Sequence, residues 1–133
     1  MVSRLCTKLV LEGDLNKIIR ITRVRKKAIA KERRYILLDS TLLWAAYADR
    51  PGQKLVLKGR LDIGEYSIFD LPDGMAQGKI SVNNAFAVNS LAKNKVNVVI
   101  AHDAHEKLTW LEAFRKLGVK VEMCQTPDNL GLR

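Results

Sequence analysis

Apolar and polar positions alternate along most of the chain, and only the last third changes period. Leu9, Leu11, Gly13, Leu15, Ile19 and Ile21 fall on one phase of a two-residue repeat. Glu12, Asp14, Asn16, Arg20 and Thr22 fall on the other. That pattern predicts a long half-buried strand, with Lys17 interrupting its apolar face. Arg34 to Leu38 predicts a second strand and Thr41 to Ala48 a third, with Asp39-Ser40 as the turn between them. Asp49-Arg50-Pro51-Gly52 is a strong turn signal. Lys54 to Ile63 reads as a fourth strand and Glu65 to Phe69 as a short fifth. Asp70 to Lys79, with Pro72, Asp73-Gly74 and Gly78, reads as a loop. Asn84 to Asn89 and Val96 to Ala101 read as strands six and seven.

The period then lengthens. Asp103 is a good N-cap, and Glu106 three residues on completes a capping-box pattern. Leu108, Leu111, Phe114 and Leu117 recur at spacings of three, and Trp110 with Phe114 forms an i, i+4 pair. These residues predict one amphipathic helix with a broad apolar stripe, ended by Gly118. Trp110 reads as core. Val119 to Met123 reads as one more short strand. Seven strands followed by one helix suggest a mainly β domain, a partly open antiparallel barrel or orthogonal sandwich capped by a C-terminal helix.

With 133 residues, 47% of them hydrophobic, the chain fits one domain with a real core. Its boundaries read as a lead-in at 1–8, the domain at 9–123 and a tail at 124–133. No run of about 18 apolar residues occurs, and residues 1–11 lack the apolar stretch of a signal peptide. Cys6 and Cys124 read as free thiols of a reducing compartment, with a bridge between the two ends as the alternative.

Charge sharpens the picture. The net charge is +9. Nine basic residues lie between Lys17 and Arg34: Lys17, Arg20, Arg23, Arg25, Lys26, Lys27, Lys31, Arg33 and Arg34, opposed only by Glu32. The rest of the chain is nearly balanced, with 14 basic and 13 acidic residues. This stretch reads as a loop or frayed hairpin end and as the footprint of an anionic partner. Lys17 and Arg34 fall on apolar phases, where a charge is costly unless the phase opens into a solvated mouth. The alternative is that both snorkel at strand ends.

Other chemistry is weakly supported. His102-Asp103-Ala104-His105 supplies the only two histidines, too few for a catalytic metal, so a metal site and a cofactor are not expected. No serine or cysteine has a base near it in sequence, and no phosphate-cradling glycine loop exists. Nucleic acid is not expected as a partner, because no aromatic residue interleaves the basic stretch.

Glu12-Gly13-Asp14-Leu15-Asn16-Lys17 resembles the first strand of pleckstrin-homology (PH) domains. Arg34 to Leu38 with Leu42-Leu43-Trp44 resembles the second and third strands, Phe86-Ala87-Val88 the sixth, and Ala104 to Phe114 the closing helix with its tryptophan. Within that family, Lys8 to Gly13 and Lys58 to Asp62 make the chain most similar to the domain that follows the Dbl-homology domain in Rho exchange factors, including those with FYVE fingers.

The resemblance implies a non-enzymatic module, cytoplasmic and peripheral at membranes, that binds anionic lipids such as phosphoinositides. Any nucleotide exchange would belong to a Dbl-homology domain elsewhere in a longer protein. Lys17 matches the family's lysine late in strand one, and Arg34 the second arginine of its Arg-x-Arg. Glu32 occupies the first arginine position, where a carboxylate repels phosphate. The implied lipid-binding set is Lys17, Arg20, Arg23, Arg25, Lys26, Lys27, Lys31 and Arg34, with Tyr47 and Arg50 in second line. The alternative role is a protein-interaction or autoregulatory module, with an adjacent Dbl-homology domain or a Rho-family GTPase as partner.

Overall fold

The structure, a computed structural model, describes residues 8–21, 28–48, 54–77 and 80–123. Ten strands and one helix follow in order among them. They are β1 (Leu9–Ile21), β2 (Ala28–Leu38), β3 (Thr41–Tyr47), β4 (Leu55–Asp62), β5 (Tyr66–Asp70), β6 (Met75–Gln77), β7 (Ile80–Val82), β8 (Ala85–Ser90), β9 (Lys95–Ile100), α1 (Ala104–Lys116) and β10 (Val121–Met123). Eight strands form one sheet in the order β10-β5-β8-β9-β1-β2-β3-β4. All its pairs are antiparallel except β10, which runs parallel to β5. The expected mainly β domain with a C-terminal helix is therefore what forms.

Three expectations are corrected. The second strand does not begin at Arg34. It starts at Ala28 and pairs with β1 from Ile21↔Ala28 to Leu9↔Leu38. Part of the basic stretch is thus sheet, because β-branched Ile18, Ile19 and Ile29 favour strand despite the flanking charges. The stretch read as a loop at 70–79 contains β6, which pairs with β7. Leu71 and Val82 from this region cover Ala85, Ala87 and Val98 as a second small core. Its apolar residues are too few and too broken by Pro72, Asp73 and Gly74 to show a period.

The third correction concerns phase. Leu15 is buried and Gly13 faces the core, as the alternation implies. A register shift between Ile18 and Arg20 then breaks the pattern. Ile18, still in register on the outer face, packs against the second core, while Ile19, left unpaired by the shift, is exposed. Such a bulge places one unpaired residue in the strand and re-aims those beside it.

The helix begins where the sequence places it. The Asp103 carboxylate accepts a hydrogen bond from the Glu106 amide at 2.7 Å. Glu106 does not return the bond to Asp103; its carboxylate accepts from the His102 amide at 2.7 Å. Gly118 adopts φ +84° just past the last turn, a conformation with little penalty for glycine. Trp110, Leu111 and Phe114 are buried, whereas Leu108, expected on the apolar stripe, is half exposed. Lys107 ties the helix to the end of β5. Its ammonium pairs with Asp70 at 2.8 Å and donates to the Leu71 carbonyl at 2.6 Å.

The main core joins Leu15, Tyr35, Leu37, Trp44, Phe86 and Val99 to Trp110 and Phe114. An aromatic series crosses it. Trp110 meets Tyr35 edge-on at 6.5 Å, and Tyr35 stacks on Trp44 at 6.0 Å. The helix closes one end of this series, and Trp44 forms the other.

Candidate functional site: a cationic mouth over Trp44

The strand alternation sorts the basic stretch by face. On β1 and β2, directly opposed residues share a face, and Leu15↔Arg33 and Lys17↔Lys31 are such pairs. Leu15, Tyr35 and Leu37 are in the core, so Lys17, Lys31 and Arg33 lie on the inner face. Glu12, Asp14, Glu32 and Arg34 alternate with them and lie on the outer face. Adjacent in sequence, Arg33 and Arg34 thus stand on opposite sides of one sheet.

Lys17 is the centre of the inner group. Its ammonium lies 5.6 Å from the centroid of the Trp44 ring. A cation over an indole face is attracted by the ring quadrupole, by about 0.5–1 kcal/mol where solvent reaches it. Burial, with the nearby charges of Lys95 and Arg33, holds the Lys17 pKa below the ordinary lysine value. Among the described residues no carboxylate lies within salt-bridge distance of this ammonium. A half-buried cation surrounded by cations is electrostatically incomplete, and an anion entering the mouth would complete it.

Trp44 holds its place because Gly59 lies across from it on β4. A Cβ at Gly59 would stand 2.0 Å from the indole Cζ2. The missing side chain leaves the space that the ring occupies.

The outer face is electrostatically closed. The Arg34 guanidinium donates to the Glu12 carboxylate at 2.9 and 3.2 Å, and Asp14 lies 3.4 Å away. The hydrogen bond to Glu12, above all, raises its pKa further. The Tyr47 hydroxyl donates to Asp14 at 2.7 Å, which raises the phenol pKa. Arg34 therefore does not share the inner face of Lys17, contrary to the phase expected for it. The buried positions of β2 are Tyr35 and Leu37, not Ile36 and Leu38. Tyr47 belongs to the outer network as well.

Of the other expected residues, Lys31 is exposed on the inner face. Arg20 lies in β1 with its backbone opposite Ile29, and its side chain is outside the description. Arg23, Arg25, Lys26, Lys27 and Arg50 lie outside the described residues. Sequence reasoning missed Arg33 and Lys95. Arg33 was findable, since it shares a phase with Tyr35. Lys95 came to Lys17 only through the pairing of β9 with β1. Among the described residues no cluster of three or more metal-ligating side chains occurs, and no helix is long and apolar enough to cross a membrane.

An eight-stranded, largely antiparallel sheet with one C-terminal helix packed on its core is a pleckstrin-homology type of fold. A family profile described as SOS1/NGEF-like PH domain matches residues 3–117, and the chain belongs to that family. It is 32% identical over 78 residues to Rho guanine nucleotide exchange factor 9 of Mus musculus, covering 58% of this chain and 14% of the relative. It is 31% identical over 108 residues to spermatogenesis-associated protein 13 of Homo sapiens, covering 80% of this chain and 16% of the relative. The chain thus spans about a sixth or less of these relatives' length. Among solved structures, the DH/PH fragment of PDZRHOGEF in complex with human RhoA superposes with a TM-score of 0.61 at 20% identity, over 84% of this chain and 28% of that one.

Proposed function

We propose that this PH domain is a non-catalytic module that docks on anionic lipid, phosphoinositide headgroups included, through the mouth formed by Lys17, Lys31 and Arg33 over Trp44. The observation that carries the reading is the half-buried Lys17 ammonium, which has cations around it and no described carboxylate to neutralise it. Arg20, Arg23, Arg25, Lys26 and Lys27, adjoining in sequence, would add point charges, each worth about 1 kcal/mol near an anionic membrane. The unit fits residues 9–123 and a peripheral, cytoplasmic setting. Its relatives support a place within a Rho-type exchange factor; Lys8 to Gly13 and Lys58 to Asp62 resemble the domain that follows the Dbl-homology domain in such factors, those with FYVE fingers included.

Sedimentation with vesicles tests the reading. Phosphatidylcholine vesicles containing phosphatidylserine or a phosphoinositide should retain the domain more than phosphatidylcholine alone, and less as salt rises. Joint Lys17→Glu and Lys31→Glu substitution should abolish the difference. Equal retention by neutral and anionic vesicles would refute it.

A second reading has its own observation. Glu12 and Asp14 occupy Arg34, the second arginine of the lipid motif, and Glu32 replaces the first. A weakened motif favours a protein-interaction or autoregulatory role beside a Dbl-homology domain. A change in exchange rate on deleting this domain from the full-length protein would support that role.

A further inference from the structure

The strand β4 carries an apolar strip that the core does not use. Leu55, Val56 and Leu57 are 41%, 41% and 59% exposed. Successive strand residues point to opposite faces, so this end of β4 stands clear of the core on both sides. The strip is also at the sheet edge, since β4 ends the strand order. Farther along, Leu61 is buried, so the exposed apolar residues of β4 are gathered at its N-terminal end.

That end is the end of the mouth. Tyr47↔Leu55 and Ala45↔Leu57 are paired, and Ala45 pairs with Arg34 on β2. Successive strands are antiparallel, so the C-terminal ends of β1 and β3 and the N-terminal ends of β2 and β4 lie at the same end of the sheet. Leu55 to Leu57 open β4 at the end of the sheet toward which β1 runs past Lys17. Lys54 and Lys58 flank the strip, both exposed, and no acidic residue occurs from Lys54 to Arg60. Lys58 stands at a register shift between Trp44 and Ala45, which interrupts regular pairing at this edge.

We propose that Leu55, Val56 and Leu57 form an apolar wedge that enters the hydrocarbon boundary of an anionic bilayer while the Lys17 mouth engages headgroups. This rests on the lipid reading above and extends it from a point contact to a two-part membrane face. Charge selects this occupant over a second copy of the chain. Two copies paired along β4 would bring two sets of Lys54 and Lys58 together, whereas an anionic bilayer accepts lysine heads at the headgroup level with leucines beneath.

The test uses phosphatidylserine–phosphatidylcholine vesicles. Leu55→Ser with Leu57→Ser should weaken retention on the order of tenfold and leave the remainder more salt-sensitive. Leu57→Trp should give tryptophan emission that is quenched by acyl-chain-brominated lipid more than the wild-type emission. The quenching measurement decides the matter should the serine pair not fold. Undiminished retention of a folded serine variant, or no added quenching in Leu57→Trp, overturns the wedge while anionic retention of the wild type still stands. Loss of anionic selectivity in the wild type removes both readings. A wild-type dimer that the serine pair dissolves overturns the wedge in favour of self-pairing.

Discussion

The Lys17 ammonium sits 5.6 Å from the centre of the Trp44 ring, half-buried on the inner face of the sheet. Burial disfavours its charged form, and Lys95 and Arg33 add repulsion. Because the folded-state pKa is depressed, the unfolded chain binds the proton more tightly. Stability from this group therefore rises as pH climbs from the depressed value toward 10.5. Lys17→Met should raise the melting temperature at pH 7 and flatten its rise at alkaline pH. The same substitution should weaken retention on anionic vesicles roughly fivefold, the worth of one charge near such a surface. Calorimetry and sedimentation on one preparation would read both effects.

Gly59 is the position most sensitive to the smallest change. A methyl group there would lie 2.0 Å from the Trp44 indole, so the ring or the strand has to shift. Gly59→Ala should cost about 1–3 kcal/mol in urea unfolding, as overpacking does. It should also disturb the Lys17 contact and lower vesicle retention without altering net charge.

Arg34 separates the proposed lipid-binding mouth from the family motif. Its guanidinium is taken up by Glu12 and Asp14. Arg34→Gln should change anionic vesicle retention by no more than about twofold, whereas a comparable loss at Lys17 should reach about fivefold. A larger effect at Arg34 than at Lys17 would mean that the outer face meets the lipid.

Lys107 joins the helix to the sheet with little solvent access. Lys107→Ala would leave the Asp70 carboxylate and the Leu71 carbonyl without their partner. We expect a loss of about 2–3 kcal/mol by chemical denaturation, below the cost of breaking a fully buried pair. Asp70→Asn added to Lys107→Met should recover part of it.

His102 gives a pH signature at the helix start. Hydrogen bonding to Glu106 raises its pKa above the ordinary 6.5. Its contribution is therefore complete below pH 6.5 and is lost as pH rises through the higher folded value. The ring is exposed, so the effect is small. An NMR titration should show the raised pKa in the wild type and a value near 6.5 in Glu106→Gln.

Period alone placed most elements within a few residues, because a half-buried strand and an amphipathic helix each impose their spacing on the chain. Asp103, Glu106 and Gly118 marked the helix ends because capping is local chemistry. The same local logic made Lys17 stand out, as a charge on an apolar phase. What the sequence could not hold was the effect of pairing. The bulge at Ile19 is a mismatch between two strands, so it left Ile19 unpaired and exposed without any mark in the alternation. Burial of Tyr35, rather than Ile36, turned Arg34 outward to Glu12 and Asp14. Lys95 reached Lys17 from 78 positions away through β9 and β1. Composition and period settled how much positive charge the first hairpin carries and what kind of fold bears it. Only the assembled sheet decided which of those charges face one another, since electrostatic energy depends on distances that strand register, not chain order, sets.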